Sequence, residues 1–147
     1  MRIKKPPYLS PIQSGAGVSV TSQSVNNNTN TKLNWDTETW DYDNEMDIAT
    51  NNRFTCKNPG LYLATLMTYG ILGANVFHQH NLLINGSDAE GQIAGQTGSA
   101  SQNSIMNSLA ILRLDAGDYV EGYVHHIAGA AKNIDAEMRI VKLFDAY

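Results

Sequence analysis

Residues 35–47, WDTETWDYDNEMD, hold six carboxylates beside two tryptophans and a tyrosine. Acids at that density suit either of two chemistries, calcium binding or general acid–base catalysis. Calcium takes six to eight oxygens, and Asp41, Asp43, Glu45 and Asp47 fall at alternate positions as in a helix–loop–helix calcium loop. Met46 then occupies the sixth position, where glycine is needed, and Asn52 the twelfth, where a bidentate glutamate belongs. These four acids therefore remain metal candidates only for another geometry, and calcium is the one ion to consider; no cofactor is expected. Glycoside hydrolysis requires two carboxylates about 5 to 9.5 Å apart in a cleft, one with a raised pKa. A polar, acid-rich loop offers no means of raising it. The chain has no Gly-x-Ser-x-Gly elbow, His-Glu-x-x-His helix or phosphate-cradling glycine loop. No catalytic residues are assigned, and the chain is not expected to be an enzyme; a glycan-processing enzyme using residues 36–47 is the alternative from another class.

Four histidines and one cysteine complete the reactive inventory. His78 and His80 share one face of a strand, while His125 and His126 point to opposite faces. A threefold axis collecting three copies of one histidine would make a metal or proton-sensitive site; the simpler expectation is hydrogen-bonded histidines near strand ends. Cys56 lies in a strand-like run and reads as a small buried hydrophobe. As the sole cysteine it excludes an intrachain disulfide.

The elements that position these groups are short strands. With 147 residues, 42% hydrophobic and 16% charged, the chain suits one domain with a core of its own and a polar, weakly charged surface. A net charge of −4 without a basic patch argues against nucleic acid as a partner. No run approaches the ~20 apolar residues that span a bilayer, so neither membrane insertion nor a secretory signal is expected. Pro6, Pro7 and Pro11 deny the start of the chain ladder hydrogen bonds, and residues 1–17 read as an extended arm. Its Arg2, Lys4, Lys5, Pro6, Pro7 and Tyr8 are the expected attachment residues, with residues 18–147 as the domain proper.

Beyond the arm, VSVTSQSV, NRFTCK, GLYLATLMTYG, FHQHNLLING, EGQIAG, SIMNSLAILRL, DYVEGYVHHI and AEMRIVKLF are β-leaning runs divided by turn signals. No long amphipathic helix interrupts them, and the pattern implies an all-β sandwich or barrel. Residues 61–69 and 104–114 are apolar on both faces, whereas 119–127 alternates as a strand with one wet face should. A two-layer sandwich has no third layer to cover such a sheet, so its cover is another copy of the chain. The expected interface residues are Tyr62, Ala64, Leu66, Met106, Ser108, Ala110 and Leu112. The segments 70–75 and 91–104 are small, polar loops suited to contact.

NNRFTCKNPGLYLATLMTYG resembles the signature of C1q-like domains of the C1q and tumour-necrosis-factor superfamily, through Arg53, Phe54, Pro59, Gly60, Tyr62 and Ala64. Residues 35–47 are similar to the stretch that precedes it in bacterial and bacteriophage versions, with LLINGSD, LDAGDYVEGYV and MRIVKLF matching later elements in order. The resemblance covers about residues 18 to 145. It implies an all-β C1q/TNF-like jelly roll of about ten antiparallel strands, assembled as a homotrimer around its inner sheet. It further implies a non-enzymatic binding or structural protein. The bacteriophage virion is the expected location, as a capsid decoration, head-fibre or tail-associated component made in the host cytoplasm. On that reading the arm meets other virion proteins and the distal loops meet a host-surface glycan or protein. A bacterial cell- or spore-surface adhesion protein of the same fold is the alternative.

Overall fold

The computed structural model describes residues 14–88, 93–96 and 104–145; the expected attachment residues Arg2, Lys4, Lys5, Pro6, Pro7 and Tyr8 lie outside them. The described residues form twelve strands and no helix. In chain order they are β1 (Gly15–Val25), β2 (Thr31–Lys32), β3 (Thr37–Asp41), β4 (Met46–Asp47), β5 (Arg53–Thr55), β6 (Gly60–Gly70), β7 (Phe77–Ile84), β8 (Ser87–Asp88), β9 (Ile93–Gln96), β10 (Ser104–Leu114), β11 (Tyr119–His126) and β12 (Lys132–Asp145). One sheet runs β10-β6-β12-β1-β3, the other β4-β5-β11-β7-β8, with β2 on β11 and β9 on β7. Every pairing is antiparallel. From β9 onward, successive strands alternate between the sheets, so the connections cross the ends of the sandwich.

The inner faces meet in one apolar cluster that includes Val18, Leu33, Phe54, Tyr62, Leu66, Leu82, Leu112, Val124, Ile134, Met138 and Ile140. Phe54 and Tyr62 meet edge to face, their ring centroids 5.7 Å apart, an arrangement that adds to simple burial. Asn85 and Gly86 both have positive φ and close the β7–β8 hairpin, as Asn-Gly does in a tight turn.

Two boundaries differ from the sequence expectation. β1 begins at Gly15, so Ser14–Gly17 belong to the sandwich and not to the arm: Gly15 to Gly17 pair with Val141 to Arg139. The acid-rich stretch is not one loop either, because Thr37–Asp41 is an edge strand on β1. Both segments are too polar or too glycine-rich to show strand periodicity, and only the neighbouring strand supplies their ladder partners.

Gly60 marks a close approach, since a Cβ there would lie 2.2 Å from the Phe144 carbonyl oxygen. Gly60→Ala should force β6 away from the end of β12 and cost about 1–3 kcal/mol. Urea unfolding checks this, and an unchanged midpoint would show that the strand end yields freely.

Candidate functional site, an exposed apolar sheet face

β6 and β10 pair along all eleven residues, and their side chains alternate between the two faces of the sheet. Tyr62, Ala64 and Leu66 point inward with Ser108, Ala110 and Leu112, and all six are buried within the single chain. Met106 has the same parity and is partly buried. The side chains expected at a subunit interface therefore fill the protomer's own core. Both faces of these runs are apolar, so parity alone could not say which faces inward. The Tyr62 hydroxyl decides it here, lying 2.6 Å from Ser14 Oγ and 2.6 Å from the Asn58 carbonyl oxygen.

The opposite parity forms the outer face. Ile105, Leu109, Ile111 and Phe144 are 61%, 62%, 55% and 62% exposed, and Leu61, Val141 and Leu143 are exposed with them. Register arranges these residues in rows across β10, β6 and β12: Arg113–Leu61–Phe144, Ile111–Leu63–Val141, Leu109–Thr65–Arg139, Asn107–Met67–Glu137 and Ile105–Tyr69–Asp135. A bulge between Lys142 and Phe144 adds Leu143 to the exposed set. The face is apolar at one end and grades into Glu137 and Arg139, which are paired at 3.2 Å. At its border β10 is the outermost strand of its sheet, with an eleven-residue edge. A long apolar edge beside an apolar face is a surface for association.

The acids of residues 36–47 serve the backbone. Asp41 accepts from the Glu45 and Met46 amides at 3.0 and 2.8 Å, and Asp47 from those of Ala49 and Thr50 at 3.0 and 2.9 Å. Asp43 accepts from Asn58 Nδ2 at 2.8 Å. Glu45, only 2% exposed, accepts from Ser14 Oγ at 2.7 Å and from the Gly15 and Lys57 amides at 2.9 Å each. Among the described residues no three His, Cys, Asp or Glu side chains converge as a metal site, so the structure does not bring Asp41, Asp43, Glu45 and Asp47 together as a calcium cage. Donors from the Thr21 amide to Asp36 and from the Thr50 amide to Asp47 pull these two carboxyls below the usual range, the opposite of what a general acid needs. Trp35 and Met46 are buried and anchor the segment, while Trp40 packs on Tyr42 with centroids 4.9 Å apart.

His78, His80 and His126 lie between the sheets, fully buried. None of them reaches the outer face of β10, β6 and β12. The residues that His78 and His80 bond, Thr68 and Ser104, sit on β6 and β10 of the other sheet and carry no signal in the β7 sequence itself. Cys56 is buried as expected, and burial pushes its thiol pKa up. Burial likewise raises the Tyr62 phenol. Lys32 pairs with Glu121 and Arg53 lies 4.2 Å above the Tyr119 ring, so both cations are engaged within the chain. Of the two suggested contact loops, 70–75 exposes Ile71 but buries Leu72; in 91–104, Ile93–Gln96 is strand β9 and Ser104 opens β10, and the rest lies outside the described residues.

No protein-family model matches the chain, and no curated protein matches it in sequence. Its fold does match solved structures. It is similar to the globular domain of zebrafish complement 1qA protein, at TM-score 0.65 and 17% identity over 90% of this chain and 99% of that one. It is similar to Eiger TNF from S. frugiperda, at TM-score 0.60 and 18% identity over 92% and 95% of the two chains. The PRD1 vertex protein P5 is similar at TM-score 0.65 and 14% identity over 90% and 98%. The chain therefore has the C1q/TNF-like jelly-roll fold.

Proposed function

We propose that this protein is a non-enzymatic homotrimer that builds part of a particle surface, most specifically a bacteriophage virion. The carrying observation is the outer face of β10, β6 and β12, where Leu61, Ile105, Leu109, Ile111, Val141, Leu143 and Phe144 stand exposed on the single chain. Covering a large apolar side chain is worth about 1.5–3 kcal/mol, so seven of them favour a permanent partner. A second copy fits because the apolar β10 edge adjoins the apolar face. Edge against face is a head-to-tail contact, which closes into a ring when the rotation between copies divides a full turn. Three copies is the ring that the fold's resemblance to C1q-like and TNF-like domains implies.

The particle role draws support from the PRD1 vertex protein, a vertex protein by name with the same fold. In this reading residues 1–13 attach the trimer, and the loops at the ends of the sandwich face outward to a host-surface glycan or protein. Among the described residues no helix is long and apolar enough to cross a membrane.

Sedimentation of the full chain at micromolar concentration tests the assembly. One species of three chains is expected, and a stable lone protomer would refute it. Deleting residues 1–13 tests the attachment: the trimer should persist while incorporation into purified particles, followed by mass spectrometry, is lost. Undiminished incorporation would remove the arm from the proposal.

A further inference from the structure

Three buried histidines occupy the end of the sandwich where β6 and β11 finish and β7 and β10 begin. His78 and His126 are directly opposed in the β7–β11 ladder, and His80 follows two residues on along the same face. Thr68 Oγ1, from the other sheet, lies 3.2 Å from His78 Nε2 and 2.9 Å from His80 Nδ1. His78 Nδ1 is 3.0 Å from Ser104 Oγ, and His126 Nε2 donates to the Val25 carbonyl at 3.0 Å. The group therefore ties β7 and β11 to β6, β10 and β1 across the core.

This arrangement is built for neutral imidazoles. A hydroxyl has one proton, so Thr68 can satisfy two neutral rings by donating to one and accepting from the other. An imidazolium donates through both nitrogens. His80 Nε2 and His126 Nδ1 are buried with no partner, so charging either ring aims an N–H at nothing that accepts it. The groups facing the cluster from the packed elements are neutral or positive: Thr68 on β6, Ser104 on β10, the Val25 carbonyl on β1, and Lys132 and His125 acting on His126. Residues Ile93–Gln96 of β9 include no titratable type. Among the described residues no carboxylate stands by to stabilise a charged ring.

We propose that His78, His80, His126 and Thr68 form an acid-sensitive latch between the two sheets, closed at neutral pH and forced open on acidification. Burial, followed by the charge of a neighbouring histidine, pushes His78 and His80 down from 6.5 to about 4, and burial lowers His126 too. In the unfolded chain these rings take up protons near 6.5, so between 6.5 and about 4 the unfolded state binds more protons than the folded one. Stability is therefore complete above 6.5 and is lost as the pH falls toward 4. By pH 5 each of the two rings shifts the folding equilibrium roughly 30-fold toward opening. Thr68 and Ser104 are followed in sequence by Tyr69 and Ile105 of the outer face, so the latch adjoins the association surface.

The test is urea unfolding of the full chain at pH 7.5 and pH 5.0, for the natural protein and for His78→Asn with His80→Gln. The natural protein should lose roughly 1000-fold in folding equilibrium between the two, from two rings at about 30-fold each. The double variant should lose less than a tenth of that. Equal losses in both proteins, or none in the natural one, would overturn the latch. Should the variant fail to fold, the imidazole proton resonances of the natural protein decide instead: three rings still neutral at pH 5.5 support the latch, and titration near 6.5 overturns it. Sedimentation at pH 7.5 addresses self-association separately. A lone protomer there would defeat the trimer while leaving the unfolding result to judge the latch.

Discussion

Leu109→Asp combined with Ile111→Asp should turn the proposed trimer into a folded single chain. Both side chains are more than half exposed on one protomer, on the row-forming face of β10, so the substitutions cost the protomer little. In the assembly each aspartate would be enclosed without a partner, at several kcal/mol per charge. Every 1.4 kcal/mol is tenfold, so the association constant should fall by at least about 1000-fold. Sedimentation equilibrium measures this, and a β-rich circular dichroism spectrum confirms that the chain still folds. Thr39→Asp, on the exposed opposite edge strand β3 of the same sheet, is the control and should leave the mass unchanged. A trimer that survives the double substitution would place the interface elsewhere.

Glu45→Ala should be the most destabilising single change outside the apolar core. Its carboxylate joins three places far apart in sequence: Ser14 and Gly15 at the start of β1, Lys57 before β6, and, through Ser14, the hydroxyl of Tyr62. Removing it leaves the buried Gly15 amide without its acceptor, frees the part-shielded Lys57 amide and leaves the buried Ser14 hydroxyl with Tyr62 alone. Unmade bonds of that kind cost about 1–3 kcal/mol each, and their partial relaxation leaves an expected loss of about 3–5 kcal/mol. Glu45→Gln keeps the shape and one acceptor, so it should cost about 1–3 kcal/mol. Urea unfolding ranks the three proteins. Because Glu45 holds Ser14 and Gly15 at the start of β1, proteolysis near Ser14 should quicken in the same order. Indistinguishable unfolding of all three would mean that the network contributes nothing to stability.

The association surface shows how far a one-dimensional pattern reaches. Runs 61–69 and 104–114 announce strands that are apolar on both sides, and from that alone a covering partner follows. Which parity faces the partner does not follow, because Leu61, Leu63 and Met67 are as apolar as Tyr62, Ala64 and Leu66. Only the tertiary packing, with Phe54 of the opposing sheet against the Tyr62 ring and Ser14 at the start of β1 beside its hydroxyl, settles which set is enclosed. The histidines behave alike. Their shared face on β7 is visible in the spacing, but Thr68 and Ser104 come from two other strands and make the face an interior one.

By itself the chain's order of residues determined the all-β character, the turn at Asn85-Gly86 and the single buried thiol, and it led to the expectation of a partner, since each arises from neighbours a few positions apart. The tertiary structure decided what faces what. It made the acids into caps for nearby amides, took Glu45 into the interior, drew Gly15–Gly17 into β1 and enclosed three histidines. The physical reason is that burial and hydrogen-bond satisfaction are properties of two sheets in contact, and a strand read alone contains only one of them.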